Sequence, residues 1–287
     1  MVCAPIEISE SAANGYRSFA DSVAGEQLRV RPESFADHYT QARMFFASQT
    51  GPEQNHIVAA LVFELSKCLL PRVREAVLSR LVHIDEGLAR RVAKGLGVSG
   101  KITPAKAAVA AKPMAPSPML SILAKAVPTL EGRKIGCLVT DGADAKLIAA
   151  LKGAATRAGA KVEIVAPTIA GVVLSDGQAL AADHKVDGGP SILFDAVAIL
   201  SSAEGGAALA DEAAAVNWLR DAFAHLKVIA YSPTARPIFA KGGLSGADAD
   251  SDGGLIALSS AKAIAGFIKA ASAGRIWERE PRVRKVV

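Results

Sequence analysis

The chain has 287 residues, 51% of them apolar and only 5% aromatic. That composition excludes a disordered chain, which could not bury enough surface to offset its ordering entropy, and it implies a core of small side chains. With 33 basic against 28 acidic residues the net charge is +5, too weak a bias for a nucleic-acid footprint, and no apolar run is long enough to span a membrane.

Residues 1–33 are polar and weakly patterned. They read as a leader, either disordered or wrapped on a neighbour, and the sequence does not choose between the two. Residues 1–7 show neither a basic nor an apolar signal region, so a cytoplasmic location is expected.

Residues 34–98 carry a helical period. Thr50 and Glu53 have capping-box spacing, with Pro52 in the first turn. Ile57, Leu61, Leu65 and Leu69 recur every four residues beside Val58 and Val62, which makes one wide apolar face. Pro71 interrupts it, and Val73, Val77 and Leu81 continue in a second helix. Asp85 caps a third helix with Leu88, Val92 and Leu96, which Gly97 stops. Helices of this length do not close a large core alone. Their apolar faces require a partner, either the second domain or another chain. Residues 99–131 form a linker in which Pro104, Pro113, Pro116, Pro118 and Pro128 break any helix.

From 132 to 274 strand and helix alternate. Strands are expected at 134–140, 161–166, 196–200, 227–231 and 255–258, and helices at 143–158, 209–223, 233–240 and 261–273. Val172-Val173-Leu174 before Ser175-Asp176-Gly177 reads as a small hairpin. Continuous apolar strands mean a parallel sheet covered on both faces. The fold class is therefore α/β, a doubly wound, flavodoxin-like layer sandwich preceded by an α-helical segment. Residues 275–287 are a basic tail, read as solvated, the alternative being a docking arm onto another subunit.

Parallel sheets bind ligands at the carboxyl ends of their strands. The first strand leads into Thr140-Asp141-Gly142-Ala143-Asp144, which is neither a dinucleotide fingerprint nor a P-loop. Asp144 is either a first-turn carboxylate favoured by the helix dipole or a functional acid. Ser201-Ser202 offer hydroxyls and amides to an anion, or cap the next helix. Ala230-Tyr231-Ser232-Pro233 stands where a nucleophile elbow would sit, yet no cysteine is there and His225 precedes the strand. Ser232 without a base is a weak nucleophile. Cys137 falls mid-strand and reads as structural. Glu53 and His56 resemble half of a di-iron helix motif without its second half. Cys3, Cys68 and Cys137 are too far apart for a zinc or disulfide framework, so a reducing compartment is expected. The five histidines show no zinc spacing.

Gln41-Ala42-Arg43-Met44-Phe45-Phe46, Ser48-Gln49-Thr50 with Glu53-Gln54-Asn55-His56-Ile57, Phe63-Glu64-Leu65-Ser66-Lys67 and the run from Ile84-Asp85 to Leu96-Gly97 occur in one order. Together they resemble the helical segment of large-subunit catalases. Residues 133–273, with Asp221-Ala222-Phe223 and His225-Leu226-Lys227, are similar to the C-terminal domain of the same family. The resemblance covers 34–275. It implies a class I glutamine-amidotransferase-like, ThiJ/PfpI-type domain. It also implies that the family's chemistry sits in a β-barrel domain that supplies His, Asn and a Tyr ligand to haem. Tyr16, Tyr39 and Tyr231 lack that ligand context. Hydrolytic members of the superfamily carry Cys and then His at the elbow. Aligned on Pro233, those positions are Ala230 and Tyr231, with the acid near Asp144 and the oxyanion region near Ser201 and Ser202. The resemblance thus implies a vestigial pocket at Asp144, Ser201, Ser202, Ala230, Tyr231 and Ser232. No catalytic residue, cofactor-binding residue or metal ligand is expected in this chain. The expected partner is a second copy or a barrel-domain catalase chain, with no nucleic acid and no membrane. The expected role is non-catalytic (structural, assembly or chaperone-like, in oxidative stress), the alternative being one part of a split or truncated haem catalase.

Overall fold

A computed structural model describes residues 22, 24–26, 28–244 and 251–283. Residues 1–21, most of the expected leader, lie outside the described residues.

The helical unit contains α1 (Thr40–Ala47), α2 (Gly51–Ser66), α3 (Pro71–Ile84) and α4 (Glu86–Gly95). The capping box at Thr50 and Glu53 starts α2, and the Asp85 carboxylate accepts the Leu88 amide at 2.7 Å to start α4. The apolar faces converge on a core of Phe46, Val58, Leu65, Leu78, Leu81, Leu88 and Val92. The linker runs back over this unit. Lys112 N–H donates to Thr40 Oγ1 at 2.9 Å, and Ser117 N–H donates to Ser48 Oγ at 2.8 Å.

The second unit is an α/β sandwich. Its elements are β1 (Lys134–Val139), α5 (Ala145–Arg157), β2 (Lys161–Ala166), β3 (Val172–Val173), β4 (Ala179–Leu180), β5 (His184–Lys185), β6 (Ala196–Leu200), α6 (Ala203–Asp211), α7 (Ala213–Ala224), β7 (Ile229–Tyr231), α8 (Arg236–Lys241), β8 (Leu255–Ala257), α9 (Ala261–Ala273) and α10 (Glu280–Val283). Six strands form one sheet in the order β5-β2-β1-β6-β7-β8, and every pair is parallel. Alternate strand residues enter different cores. Ile135, Cys137, Ala198 and Ala230 face α5 and α9, while Leu138, Val197, Ile199 and Ile229 face α6, α7 and α8. Helices on both faces make the sheet doubly wound. β3 and β4 pair antiparallel as the small hairpin.

Three expectations need correction. The helix expected at 209–223 is two helices, broken where Glu212 turns extended and accepts the Ala214 amide at 3.3 Å. An unexpected two-residue edge strand, β5, pairs with β2. The tail is only partly solvated, because Arg279 and Glu280 are buried. Arg279 is 1% exposed because its guanidinium meets the buried Asp252 carboxylate.

Candidate functional site

The sheet order reverses between β1 and β6, and a cleft of about 830 Å³ opens over the carboxyl ends of the strands there. Its walls come from the starts of α5 and α6, the β3–β4 turn and the turn after β7. Gly142 adopts φ 72°, and its amide donates to Val173 O at 2.8 Å. The Asp141 carboxylate accepts the Val173 amide at 2.8 Å. These two bonds pin the hairpin beside the first strand-to-helix turn. α6 sits close on the sheet edge because Gly205 and Gly206 lack side chains. A Cβ on Gly205 would stand 1.9 Å from Thr140 Oγ1.

The structure brings four of the six pocket residues together. Asp144, Ser201, Ser202 and Ser232 line the cleft. Asp144 caps α5, accepting the amides of Lys146 at 2.8 Å and Leu147 at 3.1 Å. Ser202 caps α6 by accepting the Gly205 amide at 3.0 Å, and it donates to Asp141 O at 2.7 Å. Ser232 Oγ accepts the Ser201 amide at 3.1 Å and bonds Thr234 Oγ1 at 2.8 Å. Thr234 in turn donates to Ser201 O at 2.6 Å. The hydroxyls mainly hold one turn to the next. Ser201 Oγ is buried without a hydrogen-bond partner among the described residues.

Ala230 and Tyr231 do not line the cleft. Ala230 is fully buried inside β7, in register with Ala198 and Ile256. Tyr231 points to the other face and packs on Phe239, with ring centroids 4.6 Å apart. The chain reaches its turn only at Ser232, so the aligned nucleophile position belongs to the strand core. The lining residues include neither Cys nor His. No imidazole therefore stands in the cleft beside the hydroxyls, and the Asp144 carboxylate is occupied by the Lys146 and Leu147 amides. Cys137 is buried, and burial pushes its thiol up to about 12, which leaves an inert side chain.

Among the described residues, both tyrosines are held by aromatic neighbours rather than placed as haem ligands. Tyr39 is buried with its ring stacked on His83 at 4.6 Å, and Tyr231 is held by Phe239. Among the described residues no three His, Cys, Asp or Glu side chains are grouped to hold a metal. Glu53 and His56 diverge. Glu53 reaches the linker, accepting from Ser121 Oγ at 2.7 Å and from the amides of Ile122 and Leu123 at 2.8 and 3.1 Å. His56 meets Glu280 at 2.6 Å. Both roles depend on contacts far away in sequence, which neither residue's local pattern signals.

A helical unit followed by a doubly wound α/β unit, with a cleft of helix caps and turn cross-links at the switch point of the sheet, defines the architecture. Residues 32–96 match the family model of "catalase-related immune-responsive" proteins, and residues 131–281 match the "C-terminal domain found in long catalases". Catalase C of Rhizobium meliloti is 45% identical over 276 residues, 96% of this chain and 39% of that protein. Catalase-B of Dictyostelium discoideum is 35% identical, over 97% of this chain and 40% of its own length. Catalase HPII of Pseudomonas aeruginosa is 32% identical, over 98% and 39%. The chain belongs to the catalase family. It spans about 40% of the length of the curated relatives it matches.

Proposed function

We propose that this chain is a catalase-related unit, non-catalytic on its own, with a structural, assembly or chaperone-like role in the response to hydrogen peroxide. One observation carries the reading. The helical unit that matches the family presents Phe63 at 62%, Leu69 at 92% and Leu70 at 51% exposure. Phe63 near the end of α2 and Leu69 and Leu70 in the α2–α3 turn offer large apolar side chains for contact with another protein surface. The cleft supports the non-catalytic half, because Asp144, Ser202, Ser232 and Thr234 are bound up in helix caps and turn cross-links. In this reading the units are a leader (1–33), a helical segment (34–98), a linker (99–131), the sheet domain (132–274) and a basic tail (275–287). The main strand order, with β5 set aside, supports a flavodoxin-like, class I glutamine-amidotransferase-like, ThiJ/PfpI-type domain. Asp144, Ser201, Ser202, Ala230, Tyr231 and Ser232 are then the remnant of its pocket. The setting is cytoplasmic, and the partner is a second copy or a barrel-domain chain. Among the described residues no helix is long and apolar enough to cross a membrane.

The test is gel filtration with light scattering, together with an apolar dye. An oligomer, or a monomer that binds dye, is the expected result. A monodisperse monomer with no dye-binding patch overturns the proposal.

The second reading, a part of a split or truncated haem catalase, is favoured by the share of the relatives that the chain spans. Co-expression with a barrel-domain chain then yields a Soret band and peroxide turnover that neither chain shows alone. The same activity from this chain by itself overturns both readings.

A further inference from the structure

We infer that residues 275–283 form a strap whose His56–Glu280 contact latches the helical unit onto the sheet unit. The root of the strap is rigid. Ile276 N–H donates to Leu226 O at 2.8 Å, where Leu226 holds φ 60°, a conformation that side chains other than glycine seldom adopt. The Arg279 guanidinium bonds both Asp252 oxygens at 2.8 Å and Lys227 O at 2.7 Å. It lies 4.3 Å from the centre of the Phe223 ring. A buried, bidentate ion pair with every guanidinium nitrogen engaged in a hydrogen bond is costly to open.

The tip differs in kind. Glu280 is the next residue, and its carboxylate stands 2.6 Å from His56 Nε2 on α2, 224 residues away in sequence. The Trp277 ring lies 5.5 Å from the His56 ring. The His56 side chain is 41% exposed, whereas that of Glu280 is 6% exposed. Among the described residues no second hydrogen bond joins α1–α4 to the sheet unit. The seam behind the contact is a cleft of about 400 Å³ bordered by His225, Leu226 and Val283, not a filled apolar core. A packed core resists displacement, while a seam held by one hydrogen bond and one ring contact on the same half-exposed His56 opens at little cost in buried apolar surface. The helical unit therefore swings when the contact opens, and the root stays in place.

Small-angle scattering and amide hydrogen exchange on the whole chain test this. His56→Gln and Glu280→Gln each enlarge the maximum dimension of the particle. Each also raises exchange around residue 56 and in α10 by roughly tenfold, with β1 and β6 unchanged. Glu278→Gln, at an exposed neighbour, matches the unsubstituted chain. Unchanged dimension and exchange in both variants overturn the latch. Loss of protection in β7 and β8 with His56→Gln also overturns it, because the contact is then part of the sheet fold. That second variant decides the matter even if Glu280→Gln fails to fold.

Discussion

The Glu53 carboxylate accepts from Thr50 within its own helix and from Ser121, Ile122 and Leu123 in the linker. Burial works to raise its pKa, but the Ser121 hydroxyl and the Thr50 and Leu123 amides outweigh burial and hold it at about 2. A depressed carboxylate stabilises fully above the ordinary glutamate range, and that stability is lost as pH falls towards about 2. Glu53→Gln lowers stability by about 1–2 kcal/mol at neutral pH and speeds amide exchange at 122 and 123, as denaturant melts and exchange will show. The loss shrinks in acid. Lys227 gives a pH dependence of the same sign in a different window and from a different cause. Burial, then the Arg275 cation, pulls its amine down to about 8, although it donates to the Ser191 and Phe194 carbonyls. The folded state releases this proton before the unfolded state does. Stability therefore rises with pH between about 8 and the ordinary lysine value of 10.5. Thermal melts of Lys227→Met lack that rise. At this scale the caps at Asp144 and Ser202 and the buried thiol of Cys137 are legible from neighbours in sequence. The capping-box role of Glu53 is legible in the same way, but its linker contacts are not, because those partners sit 68 to 70 residues away.

Strands and helices follow their local patterns closely. β2, β6 and α9 occupy the expected residues, and the uninterrupted apolar run of β6 fits a sheet buried on both faces. The break between α6 and α7 is hidden in an alanine-rich run, where Glu212 reads as an ordinary helical residue until its backbone turns extended. β5 is two residues long, below any periodic signal. Glycines separate packing from propensity. Gly205→Ala puts a Cβ 1.9 Å from Thr140 Oγ1 and forces α6 off the sheet edge, a loss of about 2 kcal/mol or more. Gly153→Ala in α5 meets only Arg157 at 3.4 Å and adds about 0.5–1 kcal/mol. Paired urea titrations will show the opposite signs.

For the whole molecule, the two units own separate cores, joined by the linker and the strap. The exposed face at Phe63 and Leu69 contributes nothing to either core. Phe63→Ser with Leu69→Ser therefore leaves the melting temperature within the range of a surface change, about 0.5 kcal/mol. The same pair of substitutions lowers apolar-dye binding and self-association, read by fluorescence and light scattering. An unchanged dye signal places the apolar surface elsewhere.

The sequence by itself determined the helical and α/β units, the proline-rich joint between them, the strand and helix caps, and the absence of a thiol at the elbow. Each of these is written in periodicity or in neighbours a few residues apart. Only the tertiary structure decided that Ala230 and Tyr231 lie in the strand rather than in the cleft, that Arg279 is buried on Asp252, and that Glu280 meets His56. Those outcomes depend on register and on side chains distant along the chain, and burial makes their charges and shapes matter only once the two units are assembled.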